Sequence, residues 1–287
     1  MTAQGKTAAL SARMLAVAGL VPAGYIAADI GCDHGYVPLY LVSHGICPHV
    51  YAADVRMGPL ERAREHIALA GFEDRITPVL SDGLMRVPVG NGGAQAMIAA
   101  GMGGRLIIRI LSDHPDKTAA LKWLILEPQS EVWLVRGWLM EHGFAITAED
   151  MVFEDGKFYP VIQAAHVEEK GEAIRPLVRR AAKRQERLLE GMEAQGFTSA
   201  EKKDALTRFG PQLLWNRPPV FSTFLEHTIE KNAALTGQLT GACRAARDGG
   251  GKERLWQRQR QLLQEGELAK KVRCFLQDFA AEEGTAK

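Results

Sequence analysis

The 287-residue chain predicts an α/β fold, a doubly wound and mostly parallel sheet closed by an antiparallel hairpin, followed by a smaller all-α domain. Three observations carry this. Short apolar runs alternate with helical stripes over the first half of the chain, the pattern of βα units. Two strand-like runs, residues 144–153 and 158–166, then flank Glu154-Asp155-Gly156-Lys157, an Asp-Gly hairpin signal. Strand patterns vanish after Glu168, and the expected domains are 1–167 and 168–287.

In chain order, an apolar run from Ile26 ends in Asp29-Ile30-Gly31-Cys32-Asp33-His34-Gly35-Tyr36, and a helical pattern covers 36–44. Residues 49–55 read as a second strand ending at Asp54, followed by a helix over 59–70 with Leu60, Ala63, Ile67 and Ala70 on one stripe. A third strand, 75–80, closes on Ser81-Asp82-Gly83. After a glycine-rich loop at 90–93, a fourth strand, 94–100, stops at Gly101-Met102-Gly103-Gly104. A short helix over 105–111, a fifth strand over 123–126 and a helix over 131–142 lead into the hairpin. Five parallel units and a terminal antiparallel hairpin are the layout of the Rossmann-like class I S-adenosylmethionine (SAM)-dependent methyltransferase fold, with a seven-stranded sheet. A nicotinamide dehydrogenase would continue with parallel strands. It would also carry G-x-G-x-x-G in the first turn, where this chain has Asp33 at the second glycine.

The second half reads as helices. Arg175, Arg179, Lys183 and Arg187 recur every fourth residue over 175–195, with Arg180 and Arg184 alongside. Gly210-Pro211 and Arg217-Pro218-Pro219 punctuate the chain. Helices over 220–247 and 252–281 flank Gly249-Gly250-Gly251. Phe221, Leu225, Leu235 and Leu239 could zip against Leu255, Leu262, Val272, Phe275 and Phe279 as a coiled-coil-like hairpin.

Composition narrows the class. Hydrophobic content of 46% with 24% charged residues suits a soluble globular protein. The uncharged stretch 14–28 is broken by Gly19, Pro22 and Gly24, so no membrane span is expected. Cys32, Cys47, Cys243 and Cys274 form no CxxC pair, which fits a reducing cytoplasm and gives no support to a metal. The net charge of +1 hides an asymmetry. Residues 1–165 carry 13 basic against 17 acidic side chains, and 166–287 carry 22 against 17, so a polyanion would be held by the back half.

The candidate site lies at the carboxyl ends of the strands, where open α/β sheets bind adenosine-containing ligands. Gly31 and Gly35 permit a tight turn and close backbone approach. Asp29, Asp33 and His34 make that turn acidic, which suits a cationic, amine-bearing ligand such as SAM better than a pyrophosphate. Asp54, with Val55 after it, can accept from ribose hydroxyls; alone it reads equally as a turn acid. Asp82 can take an adenine amino group, with the Gly83 and Leu84 backbone at the ring edge; alone it reads equally as an Asp-Gly turn. Three acids in register at three strand ends are harder to dismiss than any one. Gly101 and Met102 lie beside the switch point, where a methyl group would be transferred. No Asn/Asp-Pro-Pro-Tyr/Phe tetrapeptide and no nearby cysteine follow, and both absences favour attack by a ring-nitrogen lone pair.

Residues Asp29–Pro38, Ala100-Gly101-Met102-Gly103-Gly104, Leu124-Ile125-Leu126-Glu127-Pro128 and Glu154-Asp155-Gly156-Lys157-Phe158-Tyr159 resemble the bacterial tRNA (adenine22-N1)-methyltransferase family. The resemblance spans 10–165, beginning with Leu10-Ser11-Ala12-Arg13-Met14, and is looser beyond, at Gly210-Pro211-Gln212-Leu213-Leu214. It implies a SAM-dependent enzyme that methylates N1 of an adenine near the D-arm of tRNA by direct displacement. Asp33, His34, Tyr36, Gly101 and Met102 are then the candidates at the reacting base. Asp29, Gly31, Asp33, Gly35, Asp54, Val55, Asp82, Gly83, Leu84 and Gly101 are those at the cofactor. The helical domain, and the Arg175–Arg187 stripe in particular, would grip the RNA, although a solvated helix face explains the stripe as well. Trp215 beside Arg217 could stack on a base or simply pack. Arg13 could reach the SAM carboxylate or form a surface salt bridge. Two features depart from the family: Glu127-Pro128-Gln129 stands where Gln-Pro-Asn is expected, and the basic stretch 168–205 is longer. Rival readings are an enzyme of the same fold with another acceptor and a non-catalytic RNA-binding protein. Oligomeric state is open, with a monomer plausible.

Overall fold

The computed structural model describes residues 10–168, 172–245 and 250–285; the expected helix end at Arg247 and Gly249 lie outside them. The chain clusters into two compact units, one ending at Arg184 and the other beginning at Gln185.

The elements of the first unit follow the predicted order with additions. They are α1 (Ala12–Gly19), β1 (Ala27–Ile30), α2 (Tyr36–Ser43), β2 (Val50–Asp54), α3 (Met57–Ala70), β3 (Ile76–Leu80) and β4 (Ala96–Gly103). Then come α4 (Gly104–Asp113), α5 (Pro115–Ala120), β5 (Trp123–Ser130), α6 (Val132–Glu141), β6 (Phe144–Glu154), β7 (Lys157–His166) and the start of α7 (Arg175–Ala194). Among the described residues seven strands form one sheet in the order β3-β2-β1-β4-β5-β7-β6. β1 to β5 run parallel; β7 is antiparallel to both β5 and β6. The order reverses between β1 and β4, which makes the switch point that open sheets use for ligands.

Period-two alternation builds a core on each face of this sheet. Ala96, Ile98, Trp123 and Ile125 join one cluster, with Leu41, Leu60 and Ile67 from α2 and α3. Met97, Ala99, Leu124 and Leu126 join the other, with Ile107, Val135 and Leu139 from α4 and α6. Burying a leucine such as Leu124, fully inaccessible here, stabilises by about 1.5–3 kcal/mol. The hairpin turn takes the predicted form, with Asp155 and Gly156 both left-handed at φ 48° and 74°. One buried ion pair was not visible in the sequence: Arg136 Nε donates to Glu149 Oε1 at 2.7 Å, tying α6 to β6.

Two predicted strands are longer than their apolar runs. β4 continues from Ala100 through Gly103, and β5 continues through Glu127-Pro128-Gln129 to Ser130. Register shifts at Ala100/Met102 and Met102/Gly103 let Gly101 leave the ladder without ending it.

The second unit is helical among the described residues: the remainder of α7, then α8 (Ser199–Phe209), α9 (Pro211–Asn216), α10 (Pro219–Ala245) and α11 (Gly250–Thr285). The sequence reading passed over α8, although Thr198 and Glu201 form a reciprocal capping box at its start. Phe221, Leu225, Leu262, Val272, Phe275 and Phe279 are buried as expected, while Leu235, Leu239 and Leu255 are only half-buried. Polar residues share the α10/α11 seam: Asn232 and Gln259 are buried, and Gln259 Nε2 donates to Thr240 Oγ1 at 2.6 Å. No helix of the described residues is long and apolar enough to cross a membrane.

Candidate active site

A cleft of about 670 Å³ opens over the carboxyl ends of β1, β2, β3 and β4 and is closed on one side by α1. Its floor is the turn after β1. Gly31, Asp33 and Gly35 are all left-handed, at φ 78°, 50° and 75°. The N–H groups of Gly31 and Cys32 both donate to the Ala53 carbonyl on β2, at 2.8 and 3.0 Å, which folds the chain back under the cleft. A Cβ on Gly31 would stand 3.0 Å from Met102 Cε, so its bare backbone keeps the floor open. Gly35 does something else. Its missing Cβ would lie 3.2 Å from Ala63 Cβ, and the residue lets α2 start against α3 rather than facing the cleft.

Asp29 and Asp54 line the cleft at the ends of neighbouring strands and are each 5% exposed. Burial, aided by the negative charge of Asp54, pushes the Asp29 carboxyl up to about 7. Asp54 Oδ1 accepts from Arg56 N–H at 2.8 Å, and Oδ2 has no partner among the described residues. That free oxygen is the acceptor a ribose diol needs. Val55 and Gly83 also line the cleft. Asp82 lines it with its carboxylate already held: Arg109 of α4 donates Nη2 to Oδ1 at 3.0 Å and Nη1 to Oδ2 at 3.3 Å. A ligand amine would share Asp82 with that guanidinium. Leu84 is fully buried away from the cleft, and its carbonyl accepts from Lys117 Nζ, which also reaches the Met85 and Val87 carbonyls, all at 2.8 Å.

The mouth carries aromatic rings. Tyr36, 37% exposed, lies with its ring centroid 5.1 Å from His66 in a stacked arrangement and 5.7 Å from His34. His66 Nδ1 donates to the His34 carbonyl at 2.9 Å, which fixes its tautomer. Asp33 Oδ2 lies 3.5 Å from His34 Nε2 at the exposed rim. Of the sequence-predicted residues, the structure gathers Asp29, Gly31, Asp33, His34, Tyr36, Asp54, Val55, Asp82, Gly83, Gly101 and Met102 around this cleft; Gly35 and Leu84 stand behind it.

Sequence reasoning reached the far wall only at Arg13. Ser11 caps α1 by accepting from Met14 N–H at 3.3 Å and lines the cleft with Leu10, Arg13 and Met14. Arg13 is not in a surface salt bridge: its Nη1 donates at 3.0 Å to Oε2 of Glu127, whose side chain is fully buried. The same oxygen accepts Gly101 N–H at 2.6 Å. Burial raises the Glu127 carboxyl above its ordinary range, against the pull of that N–H and of Arg13. The sequence held one signal for this, an acid at the end of an otherwise apolar strand, which burial without a partner would not tolerate. Its partner lies 114 residues away and could not be named.

Known proteins resemble this chain along the same lines. The tRNA (adenine(22)-N(1))-methyltransferase of Bacillus subtilis is 36% identical over 155 residues, which are 54% of this chain and 64% of that protein, so the match spans less than two thirds of the curated relative. The crystal structure of the B. subtilis M1A22 tRNA methyltransferase TrmK superposes with a TM-score of 0.70 at 28% identity, over 92% of this chain and 98% of that one. A Streptococcus pneumoniae protein solved in complex with S-adenosyl-L-methionine does so at 0.66 and 27% identity, over 92% and 99%. These likenesses agree with the resemblance read from the motifs. A family described as a methyltransferase domain matches residues 10–162, the stretch that builds every wall of the cleft and all of the sheet but the end of β7, and the chain belongs to that family.

Proposed function

We propose that the chain is a SAM-dependent tRNA methyltransferase that methylates N1 of adenine 22 in the D-arm region, acting in the cytoplasm. The observation that carries the cofactor reading is the free Oδ2 of Asp54 beside the bare Gly31 turn, an acidic cradle that a Cβ would obstruct. Asp54 would hold the ribose, Asp82 and Gly83 the adenine, and the turn around Gly31 the amino acid portion. Bound SAM supplies an electrophilic methyl group on a sulfonium. The likeness to tRNA (adenine(22)-N(1))-methyltransferases supports the acceptor.

The chain's own residues have four tasks in such a reaction. Tyr36, backed by His66, offers an aromatic face at the mouth on which an unpaired adenine can stack, and a flipped base costs a few kcal/mol to free. The left-handed turns at Gly31 and Gly101 bring bare backbone close to base and cofactor, so alignment supplies most of the rate. Asp33 at the rim can face the positive charge that the ring gains on methylation. N1 carries a lone pair and no proton, so no general base is required. Exposed Arg175, Arg179, Lys183 and Arg187 on α7 would hold the RNA backbone.

The test is methyl transfer from labelled SAM to unmodified tRNA, with the product nucleoside identified and a tRNA lacking adenine 22 as control. N1-methyladenosine that disappears with the control supports the reading. SAM binding without transfer to any tRNA overturns the acceptor and leaves the fold standing.

A further inference from the structure

Gly101 sits at the corner of the cleft in a left-handed conformation, φ 76°, one residue beyond Ala100. The β1–β4 ladder ends at the pair Ile30 and Ala99, so the next peptide unit, Ala100–Gly101, is released from β1. Its N–H is not released. It donates to Glu127 Oε2 at 2.6 Å, a short, charge-assisted bond. Arg13 braces that carboxylate from the other side, with Nη1 at 3.0 Å. The guanidinium is in turn seated 4.9 Å over the Tyr159 ring and 3.7 Å from Glu154 Oε2. Glu127 is fully buried, and its Oε1 has no partner among the described residues. A carboxylate so short of hydrogen bonds cannot relax toward water and grips the donors it has.

A trans peptide is planar, with its N–H and C=O pointing in opposite directions. Fixing the Gly101 N–H on Glu127 therefore fixes the Ala100 carbonyl pointing away from Glu127. Ala100 and Gly101 line the cleft, whereas Glu127 does not. Resting on the function proposed above, we propose that Glu127 is a positioning residue for methyl transfer, which locks the Ala100–Gly101 peptide so that the Ala100 carbonyl accepts from the exocyclic amine of the target adenine. The carbonyl orients the base; Glu127 touches neither base nor cofactor and acts through the peptide. This assigns amine recognition to a backbone oxygen in a chain that lacks the Asn/Asp-Pro-Pro-Tyr/Phe tetrapeptide.

The experiment measures kcat on unmodified tRNA and on tRNA carrying purine, which lacks the amine, at the target position. SAM affinity by calorimetry and thermal unfolding run alongside. Glu127→Ala should lower kcat about 100-fold, as a misplaced reacting group does, with the SAM Kd changed less than about twofold. Glu127→Gln, which keeps an acceptor for Gly101, should recover most of that loss. Removing the amine should slow the wild-type enzyme at least about tenfold but change Glu127→Ala little, because the two losses share one interaction. If Glu127→Ala does not fold, the uncharged pair Arg13→Met/Glu127→Met replaces it in the same comparison. Wild-type kcat in a folded variant overturns the inference, as does an equal cost of purine in wild type and variant, or a parallel loss of SAM affinity. A wild-type enzyme that methylates no tRNA would instead remove the functional reading on which the inference rests.

Discussion

Two buried carboxylates stand on the two parallel strands that flank β4, Asp29 on β1 and Glu127 on β5, and they are handled in opposite ways. Asp29 has no ion pair among the described residues; its nearest charged influence is another acid, Asp54, and its carboxyl is lifted to about 7. Glu127 is braced by Arg13 and by Gly101 N–H, which pull against the burial that raises its carboxyl. Beside Asp29 the chain turns by local means, three left-handed residues within five. Beside Glu127 the turn at Gly101 depends on residues 26 and 114 positions apart from their partners. A buried acid without a cation tolerates being neutral and leaves room for a cationic ligand. A paired one is a structural clamp that fails when either member is lost.

Mutations can break or sharpen this contrast. The largest expected effect is at Asp29. Its folded pKa is raised above the unfolded value of 3.8, so the folded state binds more protons between pH 4 and 7 and stability falls as pH rises through that window. Asp29→Asn removes the penalty. It should gain on the order of 3 kcal/mol relative to wild type between pH 4 and pH 8, read by denaturant unfolding at both; equal ΔΔG at the two pH values would mean Asp29 is ionised throughout. Next is Arg13→Ala, which strands Glu127 without its cation. It should cost about 3 kcal/mol at pH 8 and progressively less as pH falls, because the Glu127 carboxyl that burial already raises can then protonate, and a pH-independent loss would point to lost packing instead.

The glycines of the first turn give a finer separation. Gly31→Val forces a β-branched residue into a left-handed backbone facing the cleft and should weaken SAM binding about 10–100-fold by calorimetry. Gly35→Ala should cost about 1–2 kcal/mol of folding stability through Ala63 and leave SAM affinity within about twofold. If both variants lose affinity equally, the two glycines do not divide the work as their surroundings indicate. The smallest effect belongs to Arg109→Ala, which frees Asp82 from a solvent-exposed pair and should leave the unfolding midpoint nearly unchanged.

The sequence by itself determined the strand and helix order, the terminal hairpin at Asp155-Gly156, the left-handed turn after β1 and the alignment of Asp29, Asp54 and Asp82. All of these rest on short-range causes: period-two and period-3.6 burial, the φ freedom of glycine, and acids at strand ends. Only the tertiary structure decided which acids are free and which are taken. Asp82 is occupied by Arg109, Gly35 faces a helix rather than the cleft, and Leu84 is buried behind it. Arg13, Glu127 and Gly101 meet only because α1 folds back across the sheet. Hydrogen-bond partners, desolvation and charge coupling depend on distances in space, and for residues more than a hundred positions apart those distances exist only once the sheet has closed.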